Sequence, residues 1–441
     1  MAKLKSSPQR FRDPLYGFIE VSPLELQIVD SAPFQRLRGI HQLGLTHLVY
    51  HGAEHTRFGH SLGVMHLVTR AFDSVVSKNP SIFSDKQQIW FRQILRLIAL
   101  THDLGHPPFS HASEKLFPKG TEHEDLTEKI IKDTGVAKVI NEIGAQLETQ
   151  LGSECKITPD LICDIYLGRT PENPLFIFLR KFMDSELDCD KMDYLLRDSL
   201  YCGVSYGKYD LDRLLSSLTV YQKDAQIRLA VEKGGIHAVE EFILARYFMF
   251  VQVYFHRTRR MYDKMLTYFL QDLLPKPASA ETGVYPTDVN EFLEWDDAKV
   301  WALMRENAAL NEWAHRIIER DMISLVYESP SHSDFKDKQI HNMIYYDIKK
   351  KFSKENIVTD SADKLPHKIP AKHDINDEKA IPIVEKGSEI PVSLSTESEI
   401  IFNLTKPINI LRIYAKESVF VDARTYCEQR KKEMFGDGED D

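Results

Sequence analysis

Cysteine is scarce. Cys155, Cys163, Cys189, Cys202 and Cys427 are scattered, odd in number and without a CxxC pair. That usage fits reduced thiols in a cytoplasmic protein. Excess positive charge is also missing, since the formal net charge is -10. Surfaces that coat nucleic acid or anionic membrane reward extra Lys and Arg, so neither is expected as the main partner. No apolar run is long enough to span a bilayer, and the first eight residues lack a signal peptide's apolar core. There is no Walker-type loop, no Ser-His-Asp arrangement and no internal repeat. What remains is a chain of 441 residues, long enough for a large core and two structural regions.

Histidine is abundant and unevenly placed. Ten of the seventeen fall in the first 123 residues. The densest stretch runs from Thr101 to His111 and holds His102, Asp103, His106 and His111. It follows an apolar run (Ile94, Leu95, Leu97, Ile98, Leu100) that reads as a buried helix, which Gly105 and the Pro107-Pro108 pair then stop. A polar cluster at the end of a core helix can point into a cleft. One such histidine alone would be ordinary; the whole cluster is hard to explain as packing.

Around this stretch the chain reads mostly as helices. Residues 1 to 12 look like a loose basic arm, and Phe18 to Val21 like a short strand. Residues 23 to 45 suggest two short helices broken near Pro33. His60 falls in the first turn of a helix with Arg57 one turn earlier, where a planar guanidinium can clamp phosphate; a solvated helix start is the alternative. Thr121 to Glu124 has capping-box form, with Thr121 as the cap and His123 in the first turn. Residues 135 to 151 and 158 to 167 are further helices. Read as a helix, 188 to 198 places Asp190, Tyr194, Arg197 and Asp198 on one side; Asp193 and Arg197 also suit an ion pair on a solvated face. A hairpin is expected over 218 to 231, with its turn at Asp224. One unbroken helix of about 60 Å is expected over 236 to 274, and another over 295 to 320. Residues 330 to 400 are polar and mixed, with a basic patch at Lys349, Lys350, Lys351 and Lys354 to which no chemistry is assigned. A strand over 408 to 414, a helix over 422 to 435 and a disordered acidic tail over 436 to 441 close the chain.

His60, His102, Asp103 and Asp190 make a set of two imidazoles and two carboxylates. Nitrogen and oxygen donors without thiolate suit Mn, Mg, Fe, Ni or Zn. Such a divalent metal polarises phosphorus and lowers the pKa of bound water. Arg57, Lys191 and the remaining histidines can stabilise charge and donate a proton. The chemistry is metal-assisted hydrolysis of a phosphate ester.

The order His60, His102-Asp103, Asp190 resembles the HD-domain phosphohydrolases. Phe34 to Arg38, Gln42-Leu43-Gly44, Arg57 to Gly63, His102 to His106, Pro108 to His111 and Asp190 to Asp198 resemble, in order, the deoxynucleoside triphosphate (dNTP) triphosphohydrolases, over roughly residues 9 to 275. The resemblance implies an all-α fold: an HD-domain multi-helix core over 1–275 with its arm, then a smaller mixed α/β C-terminal region over 276–435 that helps oligomerisation. It implies release of deoxynucleoside and inorganic triphosphate, with metal-bound water attacking the α-phosphorus. Under it His60, His102, Asp103 and Asp190 are the metal ligands. His106, His111, His123 and Glu114 are catalytic, His111 donating to the 5′ oxygen. Gln42, Leu43, Tyr194 and Asp198 lie at the sugar, Asp198 reading the 3′-hydroxyl. Arg57, Lys191 and Arg246 hold phosphates, and Tyr254 walls off a 2′-hydroxyl. The implied partners are a dNTP substrate, a nucleotide activator held at a subunit interface by Asp30, Gln35 and Arg38, and further copies of the chain in a dimer or tetramer. The arm departs from the pattern: Gln9 falls where a phosphate-gripping lysine is expected, with Arg10 and Arg12 adjacent.

Two other readings stay open. One is an HD-type phosphatase or phosphodiesterase for monophosphates or cyclic nucleotides. The other is a non-catalytic binder of nucleotides or single-stranded nucleic acid.

Overall fold

The computed structural model describes residues 7–223, 226–278, 280–370, 375, 377–385 and 390–435. A hairpin opens it: β1 (Gln9–Asp13) pairs antiparallel with β2 (Gly17–Val21). The expected loose arm is therefore a strand from Gln9 onward, because alternate residues Phe11 and Asp13 turn inward against the core. α1 (Pro23–Val29) and α2 (Ala32–Arg36) follow, each with proline in its first turn. The break falls at Asp30–Ser31 rather than at Pro33, which needs no amide hydrogen so near a helix start.

Three helices frame the centre. α3 (Arg57–Lys78) packs along α4 (Asp85–Thr101) and along α9 (Cys189–Cys202). Ser84 caps α4 through a capping box with Gln87, and the helix buries Phe91, Ile94, Leu95, Leu97, Ile98 and Leu100. It ends at His102. Between α4 and α9 run α5 (His123–Asp133), α6 (Gly135–Leu151), α7 (Pro159–Tyr166) and α8 (Pro174–Arg180). The cap of α5 is Glu122 with Asp125, not Thr121 with Glu124. Gly105 lets α5 dock: a Cβ there would collide with the His123 carbonyl and the Thr127 amide.

α10 (Leu211–Ser217) leads into the hairpin β3 (Leu218–Lys223) and β4 (Gln226–Glu232); its turn at Asp224 lies outside the described residues. The long run that follows is not one helix. α11 (Ile236–Met249) widens into a π-turn over Phe250–Tyr254, breaks at Phe255 and His256, and restarts as α12 (Arg257–Leu273). Aromatic and β-branched residues there have low helix propensity. Arg259 also takes the Tyr254 carbonyl, a competing partner that period alone does not reveal.

The later region is mixed α/β. It holds α13 (Val289–Leu293), α14 (Asp297–Asn307), α15 (Glu312–Glu319), β5 (Ser324–Glu328), α16 (Phe335–Lys351), β6 (Ile357–Lys364), β7 (Pro382–Val384), β8 (Val392–Ser393), α17 (Leu394–Glu397), α18 (Glu399–Asn403), β9 (Ile408–Ala415) and α19 (Phe420–Phe435). The single helix expected over 295 to 320 is two, because Asn311 caps α15 by accepting from Trp313 and Ala314 amides. β5, β9 and β6 form one antiparallel sheet; β3, β4, β7 and β8 form another, with β4 and β7 parallel. One large core runs through the molecule, and a small second one under α16 and α19 includes Ile344, Ile348, Ile413 and Cys427. No described helix is long and apolar enough to cross a membrane. The tail 436–441 lies outside the described residues.

Candidate active site

The end of α4, the start of α3 and the start of α9 meet at one point. His60 Nε2 is 2.9 Å from Asp190 Oδ1, and His102 Nε2 is 3.7 Å from the same oxygen. One donor atom from each of these three lies within 4.8 Å of the others. Asp103 stands beside them, Oδ1 3.3 Å from His102 Nε2 and Oδ2 3.7 Å from His60 Nε2. All four are buried except Asp190, which is half-buried.

Both imidazoles are oriented from behind. His60 Nδ1 lies 2.8 Å from Asp193 Oδ2, and His102 Nδ1 2.8 Å from the Ala99 carbonyl. Nδ1 so engaged points each Nε2 at the centre, the arrangement that backs metal-ligating histidines. His102 Nε2 is buried with no hydrogen-bond partner. Burial disfavours charge on His60, but Asp190, Asp193 and Asp103 outweigh it and push the ring up to about 10. An anionic cradle of this kind, with an orphaned imidazole nitrogen, fits a divalent cation.

Asp193 is itself clamped. Arg197 spans both its oxygens at 2.8 and 2.9 Å and reaches Asp13 at 3.0 Å, while the Tyr16 hydroxyl donates to it at 2.9 Å. The alternative of an ion pair on a solvated face is excluded: the pair is buried, with Arg197 2 % exposed. Gly63 on α3 makes room, since a Cβ there would overlap the Asp193 carboxylate.

A second group of imidazoles adjoins the first. His106 Nε2 is 3.4 Å from Asp103 Oδ1, and its ring stacks on His123 with centroids 3.9 Å apart. Glu114 bonds His123 Nδ1 and, at 2.7 Å, His111 Nδ1. Burial, Arg57 and His123 hold His106 well down and neutral. Burial also opposes charge on His123, but Glu114 overrides it and pushes that ring up. His111 is mostly exposed, at the mouth of the cleft. Phe109 and Ser110 before it both adopt left-handed backbone, φ 58° and 56°. Such strain costs about 1–3 kcal/mol per residue and gathers at functional sites. Ser110 Oγ accepts from Arg57 Nε at 2.7 Å and donates to the His41 carbonyl at 2.6 Å.

Several basic groups are tied into the same region. Arg57 Nη1 holds Asp103 at 2.7 Å. Lys191 Nζ lies 2.5 Å from Asp188, and Arg246 Nη1 2.9 Å from Glu186. Arg246 Nε is buried without a partner. Asp198 accepts from the Tyr254 hydroxyl at 2.7 Å and meets His55 Nε2 at 2.7 Å, and Tyr194 packs edge-on against Tyr254. Gln42 and Leu43 are buried, the Gln42 backbone N–H donating to the carbonyl of His55 while its Oε1 lacks a partner. Of Asp30, Gln35 and Arg38, Arg38 bonds Gln35 at 2.9 Å and covers the Phe58 ring at 3.5 Å, and Asp30 is exposed.

Several members of this site had no role in the sequence reading. His55 and Glu186 are two. Lys364, at the end of β6, is a third: its ammonium and Arg246 flank the Phe250 ring at 5.4 and 5.8 Å. Burial and the charges of Arg246, Lys191 and Lys368 push that ammonium down. Only the Glu54-His55 step beside Arg57 offered a local signal; nothing local marks Lys364.

Comparison with known proteins places this geometry. The HD domain model matches residues 57–174, and the HD associated region matches residues 209–369. The uncharacterized protein YwfO of Bacillus subtilis is 29% identical over 97% of this chain and 96% of its own length. Deoxynucleoside triphosphate triphosphohydrolase SAMHD1 of Homo sapiens is 30% identical over 58% of this chain, which spans 43% of that protein. A hypothetical protein from Aquifex aeolicus is similar in structure, with TM-score 0.76, 34% identity and coverage of 95% of this chain and 100% of that one. A phosphohydrolase from Bacteroides thetaiotaomicron shares the fold at TM-score 0.68 and 24% identity, covering 93% of this chain and 100% of that one. With the helical core, the His60–His102–Asp190 cluster and the associated region in one chain, this protein belongs to the HD-domain phosphohydrolase family.

Proposed function

We propose that the chain is a metal-dependent dNTP triphosphohydrolase, cleaving a dNTP to deoxynucleoside and inorganic triphosphate. The observation that carries this reading is a donor cluster (His60, His102, Asp103, Asp190) adjoined by the stacked His106–His123 pair, with Lys191 next to Asp190 in the chain and the charges of Lys191, Arg246 and Lys364 acting on one another. The deoxynucleoside triphosphate triphosphohydrolase activity named for the SAMHD1 relatives supports it. When bound by those four residues, a divalent cation supplies Lewis acidity and acidifies a water.

The chain's own residues do the rest. Arg57 fixes Asp103 and offers its charge to phosphate. Lys191 and Arg246 take the phosphate tail. His123, whose pKa Glu114 raises, and His111 on the same carboxylate are the groups to give a leaving 5′ oxygen its proton. Asp198, held by His55 and Tyr254, accepts a 3′-hydroxyl, and the Tyr254 ring with Gln42 and Leu43 closes the sugar side. The core is taken as 1–275, and the region 276–435 as the part that supports assembly into dimers or tetramers. Asp30, Gln35 and Arg38 are the surface for an activating nucleotide in such an assembly.

Product analysis by anion exchange, with Mn²⁺ or Mg²⁺ and each dNTP singly and mixed, tests the reading. Deoxynucleoside plus triphosphate, lost in Asp103→Ala, is the expected result; turnover only in the mixture indicates activation. No consumption of any dNTP in any combination rejects it.

A further inference from the structure

A second imidazole–carboxylate cluster lies outside the HD centre. His41, His47 and Glu54 each offer one donor atom, and the three atoms lie within 4.8 Å of one another. A backbone bridge between His41 and Thr56 brings the turn that carries the two histidines against the segment that carries Glu54. None of the three has a part in the hydrolysis proposed above.

The imidazoles are oriented from behind, as at the HD centre. His41 Nδ1 is 2.6 Å from Asp297 Oδ2, and His47 Nδ1 is 3.2 Å from the Gly44 carbonyl. Donation through Nδ1 turns each Nε2 lone pair outward. Asp297 is a firm support: it is buried, Oδ2 also accepts the His41 amide at 2.8 Å, and Oδ1 accepts the Phe109 amide at 2.6 Å. The two rings have centroids 4.9 Å apart, against 5.4 Å for His60 and His102. Glu54 Oε2 is 2.9 Å from His41 Nε2, and the glutamate side is open to solvent, which leaves room for a water ligand.

We propose that His41, His47 and Glu54 form a second metal site, suited to Zn²⁺. Two imidazoles, one carboxylate and a water make an ordinary zinc shell, with bonds of about 2.0–2.2 Å. The ion ties the turn holding Gln42 and Leu43 to the segment that starts α3 at Arg57, so it braces the substrate side of the cleft. The competing arrangement is a protonated His41 bridging Asp297 and Glu54 with no ion.

Zinc binding to the chelator-stripped full-length protein separates the two, by calorimetry with ZnCl₂ alone and by counting retained zinc after gel filtration. Two equivalents per chain are expected in the parent protein. His47→Ala and Glu54→Gln, both partly exposed positions, should each lose one equivalent or bind it at least about tenfold more weakly, with the metal-free melting temperature unchanged. His102→Ala should keep the equivalent that His47→Ala loses, and Asp190→Asn serves if His102→Ala does not fold. A single equivalent that disappears in the HD-centre variant overturns the proposal. So does a second equivalent that survives both His47→Ala and Glu54→Gln, since it then sits elsewhere, as at His106, Glu114 and His123. The outcome does not depend on any nucleotide being hydrolysed.

Discussion

Glu114 accepts from His123 and, at 2.7 Å, from His111, so one carboxylate sets the orientation of two rings. It also raises the His123 pKa against burial. Glu114→Gln is expected to lower kcat by roughly 10–100-fold, the usual loss when an orienting partner is removed, with little change in KM. The pH profile should move as well. A group that must stay protonated supports activity below its pKa and fails above it. Without Glu114 the His123 pKa falls, so the alkaline limb shifts to lower pH. A purely structural role for Glu114 leaves that limb where it was. Ser110 tests the strained turn: Ser110→Ala keeps the backbone but removes the 2.7 Å bond to Arg57, and a rise in KM without unfolding is expected.

At the scale of elements, α1, α3 and α4 are tied by one buried carboxylate. Glu25 closes the capping box at Ser22, receives Arg96 at both oxygens at 2.7 Å, and accepts from Gln93 at 2.9 Å. Arg96 also bonds Thr69 on α3 and the Glu20 carbonyl on β2. Burial pushes the Glu25 carboxyl up, but Arg96, Ser22 and Gln93 outweigh it and hold it at about 2. The depressed value fixes the sign. Above about pH 4.5 the contribution is fully present. Between there and pH 2 the unfolded state binds the extra proton, so stability falls as pH falls, by roughly 3 kcal/mol over the window. Urea denaturation at pH 7 and pH 3 should show a larger loss in the parent protein than in Glu25→Gln. At pH 7 that variant should lose about 3–5 kcal/mol, since Arg96 is left buried and unpaired. Gly105→Ala, which drives a methyl into the start of α5, should cost about 1–3 kcal/mol in the same assay.

Across the whole molecule, the later region returns to the core at β6. Arg260 on α12 grips Asp360 through two bonds, of 2.5 and 3.0 Å, and the strand then carries Lys364 to the Phe250 ring that Arg246 also meets. A third cation beside Lys191 and Arg246 has a use only when several phosphate charges are present. Lys364→Ala is expected to raise KM for a nucleoside triphosphate about tenfold, equivalent to about 1.4 kcal/mol, with kcat within about twofold. It should not affect a monophosphate. Steady-state kinetics on the two substrate classes checks this.

Short-range information in the chain determined much of this protein. The apolar period that ends at His102, the hairpin of β3 and β4 and the motif order from Arg57 to Asp198 are all set by residues close in sequence. Helix period acts over one or two turns, so it is legible without a fold. Contacts between distant segments were not. Only the tertiary structure buried the Asp193–Arg197 pair under Asp13 and Tyr16, set Asp198 between His55 and Tyr254, and brought Lys364 to Arg246. The breaks at Phe255–His256 and at Asn311 have a nearer cause: Arg259 on the Tyr254 carbonyl and Asn311 on the Trp313 and Ala314 amides are local side-chain partners that overrode the helical period. Burial and pairing of charge depend on which elements pack together, and that packing is decided by the core as a whole rather than by any local window.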